Sequence, residues 1–401
     1  MISMAILGFG VVGSGCAEVL VQNKELIKAS CGSDIEIKHI LDLREFPDSP
    51  FAKCIVHDFN VIVNDPEVSL VAEMMGGSHP AYEFTKACLM AGKSVVTSNK
   101  EVVANFGTEL LQIAEQNGVS YLFEASVGGG IPVLRSIYVD LASNRIDSVN
   151  GILNGTTNYI LTSMKEHGAS FEDALRQAQQ LGYAEANPAA DVEGLDAARK
   201  VSILCGLCFG KLVNPSDIST QGITAISGKD VEDAAKMGYA IKLIGHAHSE
   251  NGKISAMVSP RMVPFGNPLS GISGVYNGVL LHGNMVGDVM FYGPGAGKLP
   301  TASAVVADII DIVSGKGGAV KRPRFTDAVQ DDLADISSYA CARYFRLQNS
   351  SSEVNAVFGN NALHLLERDG CVSLITATVM TDGEVASVKN KLNVLSDMRV
   401  L

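Results

Sequence analysis

Hydrophobic residues in the first 130 positions alternate between short runs rich in β-branched residues and longer stretches with helical spacing. The short runs predict strands at residues 4–8, 35–41, 69–75, 94–97 and 120–123, and the longer stretches predict helices at 11–26, 82–91 and 101–116. Strands that alternate with helices indicate a parallel sheet with helices on both faces. We therefore predict an α/β fold whose first domain spans residues 1–133.

The pattern is less regular from residue 134 to 300, where helices are predicted near 171–181 and 192–207 and turn-rich segments interrupt the chain. These residues predict a second α/β domain. A long apolar helix follows at 301–315, and we expect it to complete the first domain. Residues 316–324 carry Gly, Lys and Pro without periodicity, which predicts a linker.

The last segment, residues 330–401, predicts a small separate α+β domain. Its expected elements are a strand at 344–347, a helix at 353–368, one inner strand at 371–380 and a helix at 383–395.

Composition and charge limit the class of protein. The 401 residues are 47% hydrophobic and 18% charged, which is enough apolar material for buried cores. The net charge of −12 argues against nucleic acid and anionic membranes as partners. No apolar run has the roughly 18 residues of a spanning helix, and the first residues show no basic secretory region. We therefore expect a cytoplasmic protein with reduced, buried cysteines.

A glycine-rich turn follows the first predicted strand and opens the first helix; it consists of Gly8, Phe9, Gly10, Val11, Val12 and Gly13. This spacing, in this context, is typical of a Rossmann domain that binds the pyrophosphate of a dinucleotide at a helix N-terminus. Asp42 ends the second strand and favours the ribose hydroxyls of NAD, while Arg44 is placed to meet the 2′-phosphate of NADP. The choice between the two cofactors stays open, with a slight preference for NAD.

Three further clusters indicate chemistry beyond cofactor binding. Ser98 and Lys100 lie at the carboxyl end of a predicted strand, where open α/β sheets bind ligands. Asp196 and Lys200 share one helix face at i and i+4, either as a solvated ion pair or as a carboxylate that holds a proton-donating ammonium. The remaining candidates are a turn with Gly182, Tyr183 and Glu185, a helix-capping Asp191, and Gly297 in a glycine-rich segment before the last long helix.

Several segments together resemble the homoserine dehydrogenase family: residues 74–77, 97–100, 124–132, 151–160 and 182–200. The resemblance runs in order from the N-terminus to about residue 314. It implies that the chain interconverts aspartate semialdehyde and homoserine with NAD or NADP, on the route from aspartate to threonine and methionine. It also implies a homodimer or homotetramer, with the sheet of the second domain at the interface.

The resemblance implies a role for particular residues. Lys200 matches the proton donor, Asp196 its neighbour at the substrate hydroxyl, and Lys100 a lysine between cofactor and substrate. Glu185 matches the acid that holds the substrate ammonium, with Asp191 and Tyr183 nearby. Contacts to the cofactor are implied for Gly76, Gly77, Ser98, Lys100, Gly182 and Gly297. Glu124 and the carbonyls of Val127, Gly129 and Ile131 match a structural sodium site.

Some features depart from the family pattern. Asn187 and Ala190 stand where relatives carry acids, and Leu41 stands where many carry Arg. The C-terminal segment resembles the regulatory ACT module with one inner strand missing and with residues 349–352 in place of an Asp-x-Pro-Gly turn. It is interpreted either as a threonine-responsive module or as a reduced domain for packing and assembly. A nucleotide sensor built on an inactive dehydrogenase, or another Rossmann oxidoreductase, are the alternative functions.

Overall fold

The computed structural model describes residues 1–315 and 323–401. The predicted linker at 316–324 therefore lies, apart from its last two residues, outside the described residues. The chain folds around two large sheets, and no helix in the described part is long and apolar enough to cross a membrane.

The first unit is a six-stranded sheet in the order β3-β2-β1-β4-β5-β6, with every neighbouring pair parallel. The predicted Rossmann-like α/β arrangement is confirmed. Its elements are β1 (Ile2–Leu7), α1 (Val11–Gln22), α2 (Lys24–Cys31), β2 (Ile35–Leu41), β3 (Ile55–Val56), α3 (Asn60–Val63), β4 (Val68–Glu73), α4 (Ala81–Met90), β5 (Ser94–Thr97), α5 (Lys100–Gln116) and β6 (Tyr121–Leu122).

The second unit contributes long antiparallel strands to a larger sheet, with helices packed on one face. Its elements are α6 (Leu134–Tyr138), β7 (Ile146–Ile152), α7 (Gly155–His167), α8 (Phe171–Gln180), α9 (Ala189–Val192), α10 (Leu195–Phe209), β8 (Lys211–Leu212), β9 (Ser219–Thr220), α11 (Gly228–Lys236), β10 (Tyr239–Glu250), β11 (Lys253–Pro264), β12 (Tyr276–Gly283) and β13 (Gly287–Pro294).

The chain then returns to the first unit through α12 (Lys298–Ser314), the predicted long apolar helix. Its buried face packs against α1 and the neighbouring strands, with Ala302, Val305 and Ile309 in the same core as Met4 and Ile6. The contact is close, because a Cβ added at Gly15 of α1 would lie 2.8 Å from the Lys298 carbonyl oxygen.

The C-terminal unit has the order strand, helix, strand, strand, helix, strand. Its elements are β15 (Arg343–Leu347), α13 (Ser351–Phe358), β16 (Ala362–Arg368), β17 (Cys371–Thr376), α14 (Asp382–Lys389) and β18 (Val394–Val400); before them, β14 (Thr326–Asp327) pairs with β8 in a separate two-stranded sheet. Because β18 pairs with β11, these strands extend the sheet of the second unit in the order β13-β12-β7-β10-β11-β18-β15-β17-β16.

This unit corrects the predicted bounds of two helices and the predicted number of inner strands. The helix predicted at 353–368 ends at Phe358, and residues 362–368 form a second inner strand, β16, paired with β17. The helix predicted at 383–395 ends at Lys389 and gives way to β18. Asp369 and Gly370 both have positive φ between β16 and β17. An Asp-Gly pair is a strong hairpin signal that the helical interpretation overlooked.

Two helices predicted as continuous are broken. The helix expected at 11–26 ends at Gln22, and α2 follows. The helix expected at 192–207 is preceded by the short α9, because Gly194 adopts a left-handed φ of +86° before α10 begins. The prediction that Asp191 caps this helix is wrong, because Asp191 lies within α9 and Gly194 is the N-cap of α10.

Candidate active site

The glycine turn after β1 is closely packed on one side and open on the other. Gly8 has a φ of +90°, and a Cβ there would lie 2.9 Å from the Met74 carbonyl oxygen. A Cβ at Gly13 would lie 2.0 Å from the carbonyl oxygen of Gly8, whereas one at Gly10 would meet only open space. Within residues 1–315 and 323–401, no side chain caps the N-terminus of α1. The turn therefore fits the pyrophosphate of a dinucleotide, which needs close backbone approach and free amides.

Asp42 and Arg44 lie together at the end of β2. The carboxylate of Asp42 accepts hydrogen bonds from the Phe9 backbone N–H at 2.8 Å and from two guanidinium nitrogens of Arg44 at 2.9 Å each. Hydrogen bonding from Arg44 holds the pKa of Asp42 well below its usual range. Both residues line a cavity of about 480 Å³ with Gly8, His57 and Phe59.

A buried carboxylate joins the two loops that follow β4 and β5. Glu73 is fully buried and accepts hydrogen bonds from the Met75 backbone N–H at 2.7 Å and the Thr97 hydroxyl at 2.6 Å. Asn99 caps α5 and also donates from Nδ2 to the Gly77 carbonyl at 2.7 Å. This network fixes the loop that contains Gly76 and Gly77, both at positive φ, against the segment that contains Ser98.

Lys100, Asp196 and Lys200 form the centre of the site. Lys200 Nζ donates to Asp196 Oδ2 at 2.7 Å and to the Leu153 carbonyl at 2.6 Å. Lys100 Nζ, at the first residue of α5, lies 2.5 Å from Asp196 Oδ1. The structure thus brings together three residues that the sequence placed 96 and 4 positions apart. Of the two interpretations of Asp196 and Lys200, the solvated ion pair is excluded, since both side chains are buried.

Burial and neighbouring charges both shift the pKa values of Lys200 and Asp196. Burial lowers the pKa of Lys200 and the ammonium of Lys100 lowers it further, while Asp196 opposes both. Burial favours the neutral form of Asp196, but the two lysines overcome it and leave its pKa lowered. A buried lysine with a lowered pKa and a fixed neighbour is suited to general acid–base chemistry.

Asn154 was not singled out from the sequence, although it lies within one of the segments that carried the resemblance. Its Nδ2 donates to Asp191 Oδ1 at 2.6 Å and to Asp196 Oδ2 at 3.0 Å. Its Oδ1 accepts from the Thr157 backbone N–H and caps α7. An N-cap asparagine at a strand end was the available signal. Asn154 therefore joins Asp191 to the lysine cluster.

The turn of residues 181–188 is mostly exposed to solvent. Tyr183 is exposed, its carbonyl accepts from the Thr156 hydroxyl at 2.6 Å, and its ring lies 5.1 Å from that of Tyr159. Glu185 is exposed and forms no ion pair within residues 1–315 and 323–401. Gly182 and Gly297 both have positive φ, and Gly297 precedes α12. The structure does not bring Glu185 into contact with Lys200.

Glu124 lies where the first and second units meet. Its carboxylate accepts from the backbone N–H groups of Leu134 at 2.9 Å and Arg135 at 2.6 Å, and burial raises its pKa to about 7. Its own N–H donates to the buried Asp308. The nearby carbonyls of Val127, Gly129 and Ile131 lie in the same buried loop. Carboxylate and carbonyl oxygens are the ligands that hard cations such as sodium prefer.

Two family models match the chain. The model described as the NAD binding domain of homoserine dehydrogenase matches residues 8–124, and the one described as homoserine dehydrogenase matches residues 132–310. A homoserine dehydrogenase of Synechocystis is 43% identical over 319 residues, which cover 78% of this chain and 73% of the relative. The chain belongs to the homoserine dehydrogenase family.

Solved homoserine dehydrogenase structures agree with this assignment. The enzyme from Thiobacillus denitrificans has a TM-score of 0.91 at 33% identity and covers 100% of this chain and 98% of its own. A hyperthermophilic archaeal homoserine dehydrogenase in complex with NADPH has a TM-score of 0.68 at 25% identity, over 80% of this chain and 99% of its own. The protein is therefore an oxidoreductase that interconverts L-aspartate 4-semialdehyde and L-homoserine with a nicotinamide cofactor, rather than a different class of Rossmann enzyme.

Proposed function

We propose that Lys200, Asp196 and Lys100 form the proton-transferring centre of this homoserine dehydrogenase. The observation that carries the proposal is the buried bridge in which Asp196 contacts both lysines. A lysine ammonium has three donors. Two donors of Lys200 are used by Leu153 and Asp196, which leaves one for the oxygen of a substrate.

The chemistry of each direction follows from this arrangement. The bound nicotinamide supplies a hydride in aldehyde reduction and accepts one in homoserine oxidation. In reduction, Lys200 gives a proton to the oxygen of the former carbonyl. In oxidation, neutral Lys200 removes the hydroxyl proton. Lys100, whose side chain is 38% exposed, stabilises negative charge on that oxygen.

The amino group of the substrate is assigned to the acidic side of the pocket. Asn154 connects Asp191 to Asp196, because its Nδ2 donates to both carboxylates. Tyr183 and Glu185 lie in the adjoining turn. Because Glu185 is exposed, we propose that the turn of residues 181–188 folds toward the lysine cluster when substrate binds. Asn187 and Ala190 lower the number of acids in this region relative to the family pattern.

The glycine turn of residues 8–13 would hold the pyrophosphate, and Asp42 with Arg44 the adenosine ribose. Asp42 can accept from the ribose hydroxyls of NAD, and the guanidinium of Arg44, whose side chain is 62% exposed, can turn to the 2′-phosphate of NADP. We propose that this one pair sets the ratio of the two activities. The NADPH complex of the archaeal relative supports a place for NADP in this pocket.

Three further features of the family are proposed for this chain. Glu124 with the carbonyls of Val127, Gly129 and Ile131 would hold a structural sodium ion. The order of elements in β15–β18 supports an ACT-type module, since both inner strands are present. The edge strand β13 carries exposed Met290 and Tyr292, which supports assembly into a dimer or tetramer through this sheet. The product would serve the synthesis of threonine and methionine.

The test is an absorbance assay of nicotinamide reduction with purified protein and homoserine. We expect homoserine-dependent reduction of NAD or NADP, with Arg44→Ala losing NADP activity selectively and Asp42→Asn losing NAD activity selectively. Arg145→Ala is the control. Like Arg44, Arg145 is an exposed arginine that pairs with an aspartate two residues away, here Asp147. Reduction with neither cofactor, although both bind, would contradict the proposal and favour a nucleotide sensor.

A further inference from the structure

Three arginines stand side by side where the sheet of the second unit joins that of the C-terminal unit. Arg261 of β11 pairs with Arg399 of β18, and Arg399 pairs with Arg343 of β15. Residues paired directly across neighbouring strands point to the same face of a sheet. The three guanidinium groups therefore share one face, and like charges in such positions repel each other.

This face is not the one that carries the lysine cluster. A Cβ at Gly245 would lie 2.6 Å from Val201 of α10, and Gly245 pairs with Val258 of β11. Val258 and Arg261 are three residues apart on one strand, so their side chains point to opposite faces. The arginine row is therefore separated from the lysine cluster by the sheet.

Arg261 and Arg343 are buried, the side chain of Arg399 is 11% exposed, and within the described residues Arg261 and Arg399 are incompletely paired. Arg261 is fully buried; its Nη2 donates only to the Met257 sulfur at 2.9 Å, a weak acceptor, and its Nε and Nη1 have no partner in the described chain. Arg399 Nε also lacks a partner there. Burying an ionised guanidinium without acceptors costs several kcal/mol, so an unmatched donor set of this kind calls for a bound acceptor.

Among the residues that the structure describes, one carboxylate hydrogen-bonds to the row. Asp382, at the first residue of α14, accepts from Arg343 at 2.5 Å and from Arg399 through both oxygens at 2.9 Å. Arg343 Nε donates to the Met380 carbonyl, and the ring of Tyr339 lies 5.6 Å from the Arg261 guanidinium. Neither of these neutral groups balances a charge. In the described part of the chain, the three guanidinium groups thus have one carboxylate as a hydrogen-bonding partner.

The described groups around the row do not supply a further free negative charge. His246 lies on the neighbouring strand, and burial, followed by the charge of Arg261, lowers its pKa well below the usual range. Lys242, paired with Arg261 across β10 and β11, is bound to Asn158 and the Ile272 carbonyl. Asp397 is occupied by Lys389 at 2.6 Å. No second acid therefore neutralises the row among the described residues.

We propose that Arg261, Arg399 and Arg343 form a binding site for a small oxyanion, a phosphate or carboxylate group. Arg261 Nε and Nη1 and Arg399 Nε are the free donors, and paired guanidinium donors match the oxygens of such groups. The side chain of Asp382 is 35% exposed and that of Arg399 is 11% exposed, so this end of the row is the one nearest to solvent. Because the row spans β11, β18 and β15, a bound anion strengthens the attachment of the C-terminal unit to the catalytic sheet.

The test follows the thermal unfolding of the holoenzyme at constant ionic strength, in the presence of saturating nicotinamide cofactor so that the glycine turn is filled. Inorganic phosphate and acetate are titrated separately, because they distinguish a phosphate from a carboxylate ligand. We expect one of them to raise Tm by about 1–3 °C at saturation. Arg399→Gln and Arg261→Met should abolish this rise, and Arg261→Met should be at least as stable as wild type without the anion.

Asp382→Asn provides a change in the opposite direction. It removes the competing carboxylate, so it should unfold at a lower temperature without anion and gain more from the anion than wild type does. Arg176→Gln, which breaks an exposed arginine–aspartate pair on α8, should respond like wild type. A Tm unaffected by either anion, or a rise that survives in both Arg399→Gln and Arg261→Met, would overturn the proposal. If Arg261→Met fails to fold, Arg399→Gln and Asp382→Asn still decide it.

Discussion

At the scale of single residues, the proposed proton transfer depends on how burial and neighbouring charges set the pKa values of Lys200 and Asp196. Burial lowers the pKa of Lys200, and the Lys100 ammonium lowers it further. Asp196 acts in the opposite direction and raises the pKa, because its carboxylate stabilises the buried ammonium. The i, i+4 spacing allowed this pair to be predicted from the sequence. The approach of Lys100 could not be predicted from spacing, because it depends on how α5 and α10 pack across two units.

The pH dependence of aldehyde reduction tests this balance. In the proposed mechanism protonated Lys200 is the proton donor, so the rate should fall as pH rises through the pKa of Lys200. Lys100→Met removes a positive neighbour and leaves Asp196 entirely to Lys200, so both effects raise the pKa of Lys200. We expect the falling limb of the kcat/KM profile to move to higher pH. The limb should not move in Lys236→Met, an exposed lysine on α11, and an unmoved limb in Lys100→Met would be evidence against the coupling.

At the scale of elements, the ends of β4 and β5 are held together by Glu73. Its carboxylate joins the Met75 N–H to the Thr97 hydroxyl, and Asn99 links the same region to the start of α5. These strands and helices were predictable, since alternating apolar runs and caps are local signals. The buried carboxylate was not, because sequence alone does not tell which acid at a strand end faces inward.

Replacement of Glu73 tests this connection. Glu73→Leu leaves the Met75 N–H and the Thr97 hydroxyl without their acceptor, at about 1–3 kcal/mol for each buried donor. We expect a lower free energy of unfolding and weaker cofactor binding, measured by denaturant titration and fluorescence. Glu73→Gln keeps one acceptor oxygen and should lie between Glu73→Leu and wild type. Cofactor affinity and stability equal to wild type in Glu73→Leu would rule out the role.

The C-terminal elements show where local signals failed. The apolar residues of 353–368 were interpreted as one helix, yet Leu363 and Leu365 are exposed on the edge strand β16. Short apolar stretches do not distinguish a strand from a helix, and here pairing with β17 decides.

At the scale of the whole molecule, the C-terminal unit is fixed to the catalytic unit by a buried polar interface as well as by β11 and β18. Asp230 of α11 is fully buried and accepts from Arg346 Nε at 2.8 Å and from the Tyr344 hydroxyl at 3.2 Å. Asp233 accepts from the Ser373 hydroxyl at 2.6 Å. Contacts so distant in the chain leave no local signal, which is why the sequence suggested a separate domain.

Removal of Asp230 should therefore affect the whole molecule. Asp230→Ala leaves the guanidinium of Arg346 unpaired in a largely buried position, and breaking such a pair costs about 3–5 kcal/mol. We expect the C-terminal unit to unfold at a lower denaturant concentration, and hydrogen exchange at β15 and β17 measures this unfolding. Asp173→Ala is the control, because it removes an exposed carboxylate that pairs with Arg176. It should change the free energy of unfolding by no more than about 0.5 kcal/mol. Equal effects of the two substitutions would argue that the interface contributes little.

The most direct measurement of the central claim is the turnover of Lys200→Ala with homoserine, compared with its cofactor affinity. Loss of a positioned general acid–base should lower kcat by about 10²–10⁴-fold. Cofactor affinity should remain that of wild type, because Lys200 contacts Leu153 and Asp196 rather than the glycine turn. Lys236→Ala should keep full activity. Normal turnover in Lys200→Ala, or a loss explained entirely by weaker cofactor binding, would contradict the assignment of Lys200 as the proton donor.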